Sequence, residues 1–438
     1  MELRLSPALA WSLTRENVVP RSAAIFVCFI AGCLEPRSAD SSAEGTQSSI
    51  VTGAVGLKCQ DDATRRALTD YAHPGPYQAG VVDLTFEDTT RPILANAKHP
   101  AAPARTLATS VYYPALGPAP LFGAARVAQG GPFPLLVHSH GYGSSRAEAT
   151  QIGLRAASHG YIVVAVDFPF TSTDRMLSGE GIDTSDIIHQ AGDVSFLIDQ
   201  LLALSSDPKH LFAHAVDGER IGVTGVSLGG LTTLLVTYHP QLQDARIKAA
   251  APIAPLSSFF MHDFYHTREL PLLIMSGDLD AFIDYDTNAR RSFERAAPHA
   301  QLVTFKRGTH AAFAFQLDAA SLALTNSLLA APDAHPENAD AFGCAVTGQA
   351  LSTDHDYMPP LGGRESFIDY NPSTEPIVMC QGDQYKQPGM DALEQVELAA
   401  QGVVAFFEGH FGRTPEARAD GCRYLLQELA QHPAVSVE

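Results

Sequence analysis

The chain is poor in basic residues, in tryptophan and in cysteine, and the first of these shortages excludes a class of partner. Its 29 Lys and Arg residues stand against 48 Asp and Glu residues, which gives a formal net charge of −19. Nucleic acids and anionic membranes are bound through basic patches. The sequence contains no run of Lys and Arg and no alternation of basic with aromatic residues. We therefore expect no nucleic-acid partner.

The few cysteines form no metal-binding pattern. The four that follow residue 33 are far apart and lack the Cys-x-x-Cys or Cys/His spacing of zinc sites; they are Cys59, Cys344, Cys380 and Cys422. The Gly-Lys-Ser/Thr that ends a phosphate-binding loop is also missing from the sequence. We expect neither a metal nor any other cofactor.

The apolar run near the start of the chain is short. Residues 23–33 follow Arg21 and cannot cross a bilayer, a pattern that is typical of a signal peptide. The run ends in Ile-Ala-Gly-Cys33, which looks like a bacterial lipobox. We expect removal of residues 1–32, lipidation of Cys33 and a polar tether over residues 33–58, with a plain secretory signal as the alternative. The protein is predicted to be exported, either as a cell-envelope lipoprotein held to the membrane only through Cys33 or as a secreted protein.

Four cysteines in an exported chain can form two disulfides, with three different pairings. The sequence alone does not choose among these pairings. We predict Cys344–Cys380 within one late insertion and Cys59–Cys422 between the two ends of the domain.

From residue 79 the chain alternates β-rich and helical runs, which is typical of a mostly parallel sheet wrapped by helices. The β-rich runs are 80–86, 106–113, 133–138, 161–166, 221–226, 247–253, 270–275 and 301–305, and the helical runs are 146–158, 185–204, 231–238, 287–295 and 394–411. We expect the first two strands to pair antiparallel. Residues 318–388 break the alternation and are interpreted as an insertion, either a lid or pocket wall or a plain surface loop. The predicted α/β domain covers residues 59–438.

One short motif carries most of the functional information. The apolar run 221–226 leads into Gly225-Val-Ser-Leu-Gly229, and a helical run follows. A serine can stand at the tip of a sharp strand-to-helix turn only when its neighbours leave room, as Gly225 and Gly229 do. Ser227 is therefore predicted to be an exposed nucleophile.

A serine hydroxyl needs a base to take its proton, and the base needs a carboxylate to orient it. On this type of sheet the partners follow in the order Ser, Asp or Glu, His, each just after a strand. One later strand ends before Asp278 and Asp280, and the next ends before His310. We predict Asp280 as the acid, with Asp278 as the alternative. Asp284 and Asp286 are expected to cap the helix that follows.

Acyl transfer also requires backbone N–H donors at the developing oxyanion, each worth about 3–4 kcal/mol. Leu228, directly after the serine, is expected to supply one donor. The loop 139–144 reads Ser-His-Gly-Tyr-Gly-Ser, and Gly141 and Gly143 let its backbone turn inward. The amide of Tyr142 is therefore the expected second donor.

With these motifs the chain resembles the α/β-hydrolase family. More narrowly, it is similar to the group of platelet-activating-factor acetylhydrolases, dienelactone-hydrolase-like proteins and bacterial cutinases or polyester hydrolases, over about residues 73–315 and the last helix. The segments that carry the resemblance are 74–80, 105–114, 139–142, 250–255, 277–280 and 308–310. The resemblance implies a serine hydrolase acting on carboxylic esters. The match at residues 277–280, the acid loop, favours Asp280.

Two positions depart from the polyester hydrolases. Those enzymes typically carry His or Trp just before the serine and Trp just after the segment 250–255, whereas this chain has Val226 and Leu256; its one tryptophan, Trp11, precedes the signal run. An aromatic polyester therefore finds less stacking surface, although Tyr142 offers one ring face. We predict hydrolysis of small or short-acyl esters through an acyl-enzyme. The alternatives are a cutinase or polyester hydrolase, an acyltransferase or thioesterase with the same triad, and last a non-enzymatic ligand-binding lipoprotein.

Overall fold

A computed structural model describes Cys59 and residues 69–117, 121–122, 125–315, 322–324, 327, 334–351, 355–371, 377–380 and 382–438. The chain divides into Met1–Ala54 and a compact unit, Val55–Glu438. The predicted signal peptide and tether, with Cys33, lie outside the described residues and stay predictions. Within the described ranges, no helix combines the length and apolar character that a bilayer crossing needs.

One sheet organises the compact unit, and ten strands of the described residues form it. In chain order they are β1 (Gln78–Asp88), β2 (Arg105–Ala115), β3 (Leu121–Phe122), β4 (Phe133–Ser139), β5 (Ile162–Asp167), β6 (Val216–Val226), β7 (Ile247–Ile253), β8 (Leu272–Gly277), β9 (Ala300–Phe305) and β10 (Val435–Val437). Their spatial order is β10-β9-β8-β7-β6-β4-β5-β2-β1-β3. Strands β4 to β9 pair in parallel. The predicted antiparallel pairing of β1 with β2 is confirmed.

Helices cover both faces of the sheet, which confirms the predicted α/β class. They are α1 (Thr150–Ser158), α2 (Thr173–Leu177), α3 (Ile187–Ser206), α4 (Leu228–Tyr238), α5 (His262–Tyr265), α6 (Arg291–Arg295), α7 (Ala312–Phe315), α8 (Ala339–Leu351), α9 (Ala392–Phe411) and α10 (Pro415–Arg423). Successive side chains of a strand point to opposite faces. In β5, Val164 and Val166 join the core beneath α3 and α4, whereas Val163 and Ala165 join the core beneath α1 and α9. A strand buried on both faces must be apolar, as β5 is up to its last residue, Asp167.

The ends of some elements differ from the prediction. The helix expected at 146–158 begins with a 3₁₀ turn, Arg146–Ala149, and the one expected at 287–295 begins with a π turn, Asp286–Arg290. Strand β10 was not predicted because three residues are too few to show alternation. It forms by pairing antiparallel to β9, with Val435 opposite Phe305.

Both predicted disulfides are present. Cys59 is bonded to Cys422 on α10, which joins residues 363 positions apart. Cys344 on α8 is bonded to Cys380. Part of the described 318–388 segment packs into the protein, since several of its side chains join the core beneath α3 and α4; these are Tyr357, Met358, Leu361, Ile368 and Met379.

Helix α9 carries a half-buried histidine whose ring nitrogens lack a polar partner among the described residues. Both ring nitrogens of His410 are inaccessible and make no hydrogen bond to any described residue. The ring packs against Phe406, with centroids 4.8 Å apart. Burial lowers the pKa of His410 to about 4, whereas an unfolded histidine titrates near 6.5.

We expect this histidine to make the fold acid-sensitive. As the pH falls from about 6.5 to about 4, the unfolded chain binds a proton that folded His410 does not, so the free energy of unfolding decreases. The variant His410→Leu should remove roughly 2 kcal/mol of the change in unfolding free energy between pH 7 and pH 4.5. Urea unfolding at pH 7 and pH 4.5 measures it, with His262→Leu, at a side chain that is 64% exposed, as the control. The same pH dependence in the wild type and in His410→Leu would contradict the assignment.

Candidate active site

Ser227 lies at the tip of the turn between β6 and α4. Its φ of 58° and ψ of −116° belong to a backbone region that residues other than glycine rarely adopt. A Cβ atom at Gly225 would lie 2.5 Å from the carbonyl oxygen of Gly229, and one at Gly229 would lie 2.0 Å from the carbonyl oxygen of Ser139. Neither position has room for a side chain, so the turn predicted from the motif depends on both glycines.

His310 and Asp280 are brought together by two neighbouring loops. His310 follows β9, Asp280 follows β8, and the distance from His310 Nδ1 to Asp280 Oδ2 is 2.7 Å. The other carboxylate oxygen, Oδ1, accepts hydrogen bonds from the backbone N–H groups of Phe282 at 2.9 Å and Ile283 at 2.7 Å. Both side chains are buried. The carboxylate is therefore fixed by its own loop and faces the imidazole.

Asp278, the alternative acid, has a different contact. Its Oδ1 accepts a hydrogen bond from the backbone N–H of Arg307 at 2.5 Å. This bond connects the acid loop to the turn that precedes His310, but it does not involve the imidazole. Asp284 caps the next turn, since its Oδ1 accepts from the backbone N–H of Thr287 at 2.9 Å.

Ser227 opens into a narrow pocket that also contains both expected oxyanion residues. Tyr142 and Leu228 line it together with Ser227, and the cavity has a volume of about 20 Å³. Phe282 lines the same pocket and stacks on the imidazole of His310, with ring centroids 4.9 Å apart. The pocket therefore connects the serine turn with the loop that holds the imidazole.

The electrostatic surroundings of His310 favour its protonated form. Burial lowers the pKa of His310, but the negative charge and hydrogen bond of Asp280, with the charges of Asp340 and Glu148, outweigh burial and raise that pKa above its usual value. A histidine in such surroundings is a stronger base than one in water. It is therefore suited to accept a proton from a hydroxyl group.

Three buried polar side chains that support these loops were not predicted from the sequence. Glu148 accepts a hydrogen bond from the backbone N–H of Gly141 at 3.2 Å, beneath the loop of Tyr142. Gln395 on α9 accepts from the N–H of Thr309 at 2.9 Å and donates to its carbonyl at 2.7 Å, directly before His310. The third is Asp340, which is described below. Asp340 and Gln395 act from distant parts of the chain, 30 and 86 residues from their partners. Glu148 lies only seven residues after Gly141, but no motif in the sequence marks it.

Comparisons with known proteins extend this picture. Residues 110–325, which include Ser227, Asp280 and His310, match the model of the family described as PET hydrolase-like. The chain has an α/β-hydrolase fold and is similar over these residues to the PET hydrolase-like family. This confirms the resemblance to cutinases and polyester hydrolases that the motifs indicated.

Individual relatives agree with the similarity to that family. Cutinase 2 of Thermobifida cellulosilytica is 29% identical over 153 residues, 35% of this chain and 50% of that protein. Cutinase est1 of Thermobifida alba is 30% identical over 143 residues, 32% of this chain and 40% of that protein. The chain thus spans half or less of the length of these relatives. A ferulic acid esterase from Streptomyces cinnamoneus gives a TM-score of 0.47 at 19% identity, covering 80% of this chain and 97% of that one.

The two aspartates of the acid loop offer a direct test of the site. In Asp280→Asn the amide cannot stabilise the same imidazole tautomer or its positive charge, so we expect kcat to fall on the order of 10³- to 10⁴-fold. Asp278→Asn alters the same loop without touching the imidazole and should keep kcat within a few-fold of wild type. Steady-state kinetics on p-nitrophenyl acetate measure both. A large loss confined to Asp278→Asn would reverse the assignment.

Proposed function

We propose that this protein is a serine hydrolase of carboxylic esters. Ser227 is the nucleophile, His310 is the general base, and Asp280 orients the imidazole. The support comes from the strained serine turn, the 2.7 Å contact between imidazole and carboxylate and the similarity to cutinases. The signal-like N-terminus and two disulfides support export as part of the same proposal.

The proposed reaction has two halves. Ser227 Oγ attacks the ester carbonyl while His310 Nε2 takes the hydroxyl proton, and the amides of Tyr142 and Leu228 donate to the oxyanion. His310 then passes the proton to the departing alkoxide as the ester C–O bond breaks, which leaves an acyl-serine. In the second half His310 takes a proton from water while the water oxygen attacks the acyl carbonyl carbon. The bond between that carbon and Ser227 Oγ then breaks, His310 returns the proton to Oγ, and the acid leaves.

The walls of the pocket support small or short-acyl esters as substrates. Tyr357 and Met379, both from the 318–388 segment, line the pocket of Ser227, and each is less than one-tenth exposed. Leu256 is buried in the same wall. It stands at the position for which the sequence comparison noted a typical tryptophan in polyester hydrolases. A pocket of about 20 Å³ leaves little space beside the serine. A small acyl group suits these dimensions better than a polymer chain does.

A cutinase or polyester hydrolase is the second candidate. The similarity to cutinases favours it. So does a cavity of about 380 Å³ that shares Leu256, Phe282 and Ile283 with the serine pocket and provides more space beyond them. A longer substrate would have to pass these three side chains to reach Ser227.

Replacement of the serine tests the chemistry. We expect Ser227→Ala to lose ester hydrolysis on the order of 10⁶-fold, because the acyl-enzyme cannot form. A fluorophosphonate should label the wild type and not the variant. Hydrolysis unchanged in Ser227→Ala would leave a ligand-binding protein as the better interpretation, and transfer to added alcohols or thiols exceeding hydrolysis would indicate an acyltransferase or thioesterase.

A chain-length series tests the substrate class. We expect kcat/KM to be highest for p-nitrophenyl acetate or butyrate and to fall tenfold or more at decanoate, because each methylene that does not fit costs about 1–3 kcal/mol. A preference for long chains, or release of acid from a polyester film, would favour the cutinase alternative.

The pocket wall itself gives a further prediction. Met379→Ala removes a side chain from the wall and should raise kcat/KM for octanoate relative to acetate by about tenfold or more. Met358→Ala is the matched control, since it makes the same change at a buried side chain of the same segment that does not line the pocket. Equal acyl preference in the two variants would show that Met379 does not limit acyl length.

A further inference from the structure

We propose that Asp340 is a positioning residue for the catalytic triad. Its buried carboxylate on α8 holds the acid loop, which contains Asp280, and the histidine loop, which contains His310, in the geometry that catalysis needs. The proposal rests on the function proposed above. It assigns a role within the site to part of the 318–388 segment, in addition to forming the pocket wall.

The contacts of Asp340 reach both loops at once. Oδ2 accepts hydrogen bonds from the backbone N–H of Ala281, the residue after Asp280, at 2.8 Å and from that of His310 at 3.1 Å. Oδ1 accepts from the N–H of Ala311 at 2.6 Å. The side chain is fully buried. One carboxylate therefore accepts hydrogen bonds from the residue after Asp280, from His310 and from the residue after His310.

The same segment also holds Ala281 from its other side. The carbonyl oxygen of Ala281 accepts a hydrogen bond from the backbone N–H of Cys380 at 2.6 Å. Cys380 is disulfide-bonded to Cys344, which lies on α8 about one turn after Asp340. Ala281, the residue that follows Asp280, is thus held through its N–H and its carbonyl group by two points of one cross-linked segment.

Asn338 fixes Asp340 in turn. Its side-chain oxygen accepts from the backbone N–H of Asp340 at 2.9 Å. Its amide group donates to the carbonyl oxygens of Gln384 at 3.0 Å and Gln387 at 2.9 Å. The carboxylate therefore projects from a rigid support, which a residue that positions other groups requires.

Asp340 also contributes charge to the site. Burial, and then the negative charge of Asp280, raise the pKa of Asp340 to about 6, so it carries its charge at pH 7 and above. Three carboxylates face His310: Asp280 from the acid loop, Asp340 from α8 and Glu148 from the 3₁₀ turn before α1. All three raise the pKa of the imidazole. Removal of the charge of Asp340 should therefore lower that pKa.

The variant Asp340→Asn tests both contributions. The amide has nearly the same shape, but its NH₂ group faces backbone donors. We expect kcat to fall on the order of tenfold to a hundredfold with little change in KM, because the triad is slightly misplaced. The acidic limb of the pH profile of kcat/KM should move to lower pH, because His310 stays neutral further into acid. Asp278→Asn is the control, since it removes a carboxylate from the acid loop that does not contact the imidazole. It should leave the acidic limb in place.

Each outcome separates the possible roles. If wild type is inactive, or Ser227→Ala is as active as wild type, the proposed function fails. If both behave as expected but Asp340→Asn keeps the kcat and pH profile of wild type, or loses only thermal stability, Asp340 is merely structural and the inference is overturned. If Asp340→Asn does not fold, Asp340→Glu replaces it. Glutamate keeps the negative charge, but its longer side chain moves the carboxylate away from the two loops. The proposal then requires a lower kcat with an unshifted acidic limb, and a wild-type kcat would overturn it.

Discussion

The active-site edge of this protein depends on the close approach of two backbone turns. Gly225 and Gly229 bring the serine turn so near to Ser139 that no side chain fits between them. The loop that begins at Ser139 carries Tyr142, so this contact sets the position of one proposed oxyanion donor relative to the nucleophile. The strained backbone of Ser227 is held by the sheet below it. Strands β4 and β6 are parallel neighbours, and their pairing places Ser139 opposite Gly225.

The histidine side of the site is held by a different principle. The serine turn is fixed by backbone packing, and the oxyanion loop by that packing and by one hydrogen bond to Glu148. His310, in contrast, is held mainly by buried polar side chains from outside the central sheet. Gln395 fixes the preceding residue, and Asp340 binds its N–H. Buried polar groups of this kind must be fully hydrogen-bonded to be stable, which gives each of them one well-defined geometry.

The elements that sequence patterns predict well are those with local signals. Ser227, Asp280 and His310 each follow an apolar run, and local motifs with their order along the chain predicted them as a triad. The triad stays a prediction, and the structure brings His310 Nδ1 within 2.7 Å of Asp280 Oδ2. Asp340 lies 30 residues after His310 in a region without recognisable alternation, so its contacts follow only from the folded chain. The same holds for Tyr357 and Met379, whose burial beside the serine depends on how the 318–388 segment folds back over the sheet. Strand β10 illustrates a further limit, since three residues become a strand only through the partner they find.

The position of Gln395 bears on when the protein becomes active during its synthesis. When a growing chain contains Ser227, Asp280 and His310, all three proposed triad residues are present. The loop of His310 still lacks the hydrogen bonds to Asp340 and to Gln395, which binds Thr309. Both arrive only with the last quarter of the chain, together with the partner cysteines of both disulfides. Under the proposed mechanism, an incomplete chain therefore carries a nucleophile without a positioned base. We therefore expect the proposed activity to stay low until the C-terminal helices have folded.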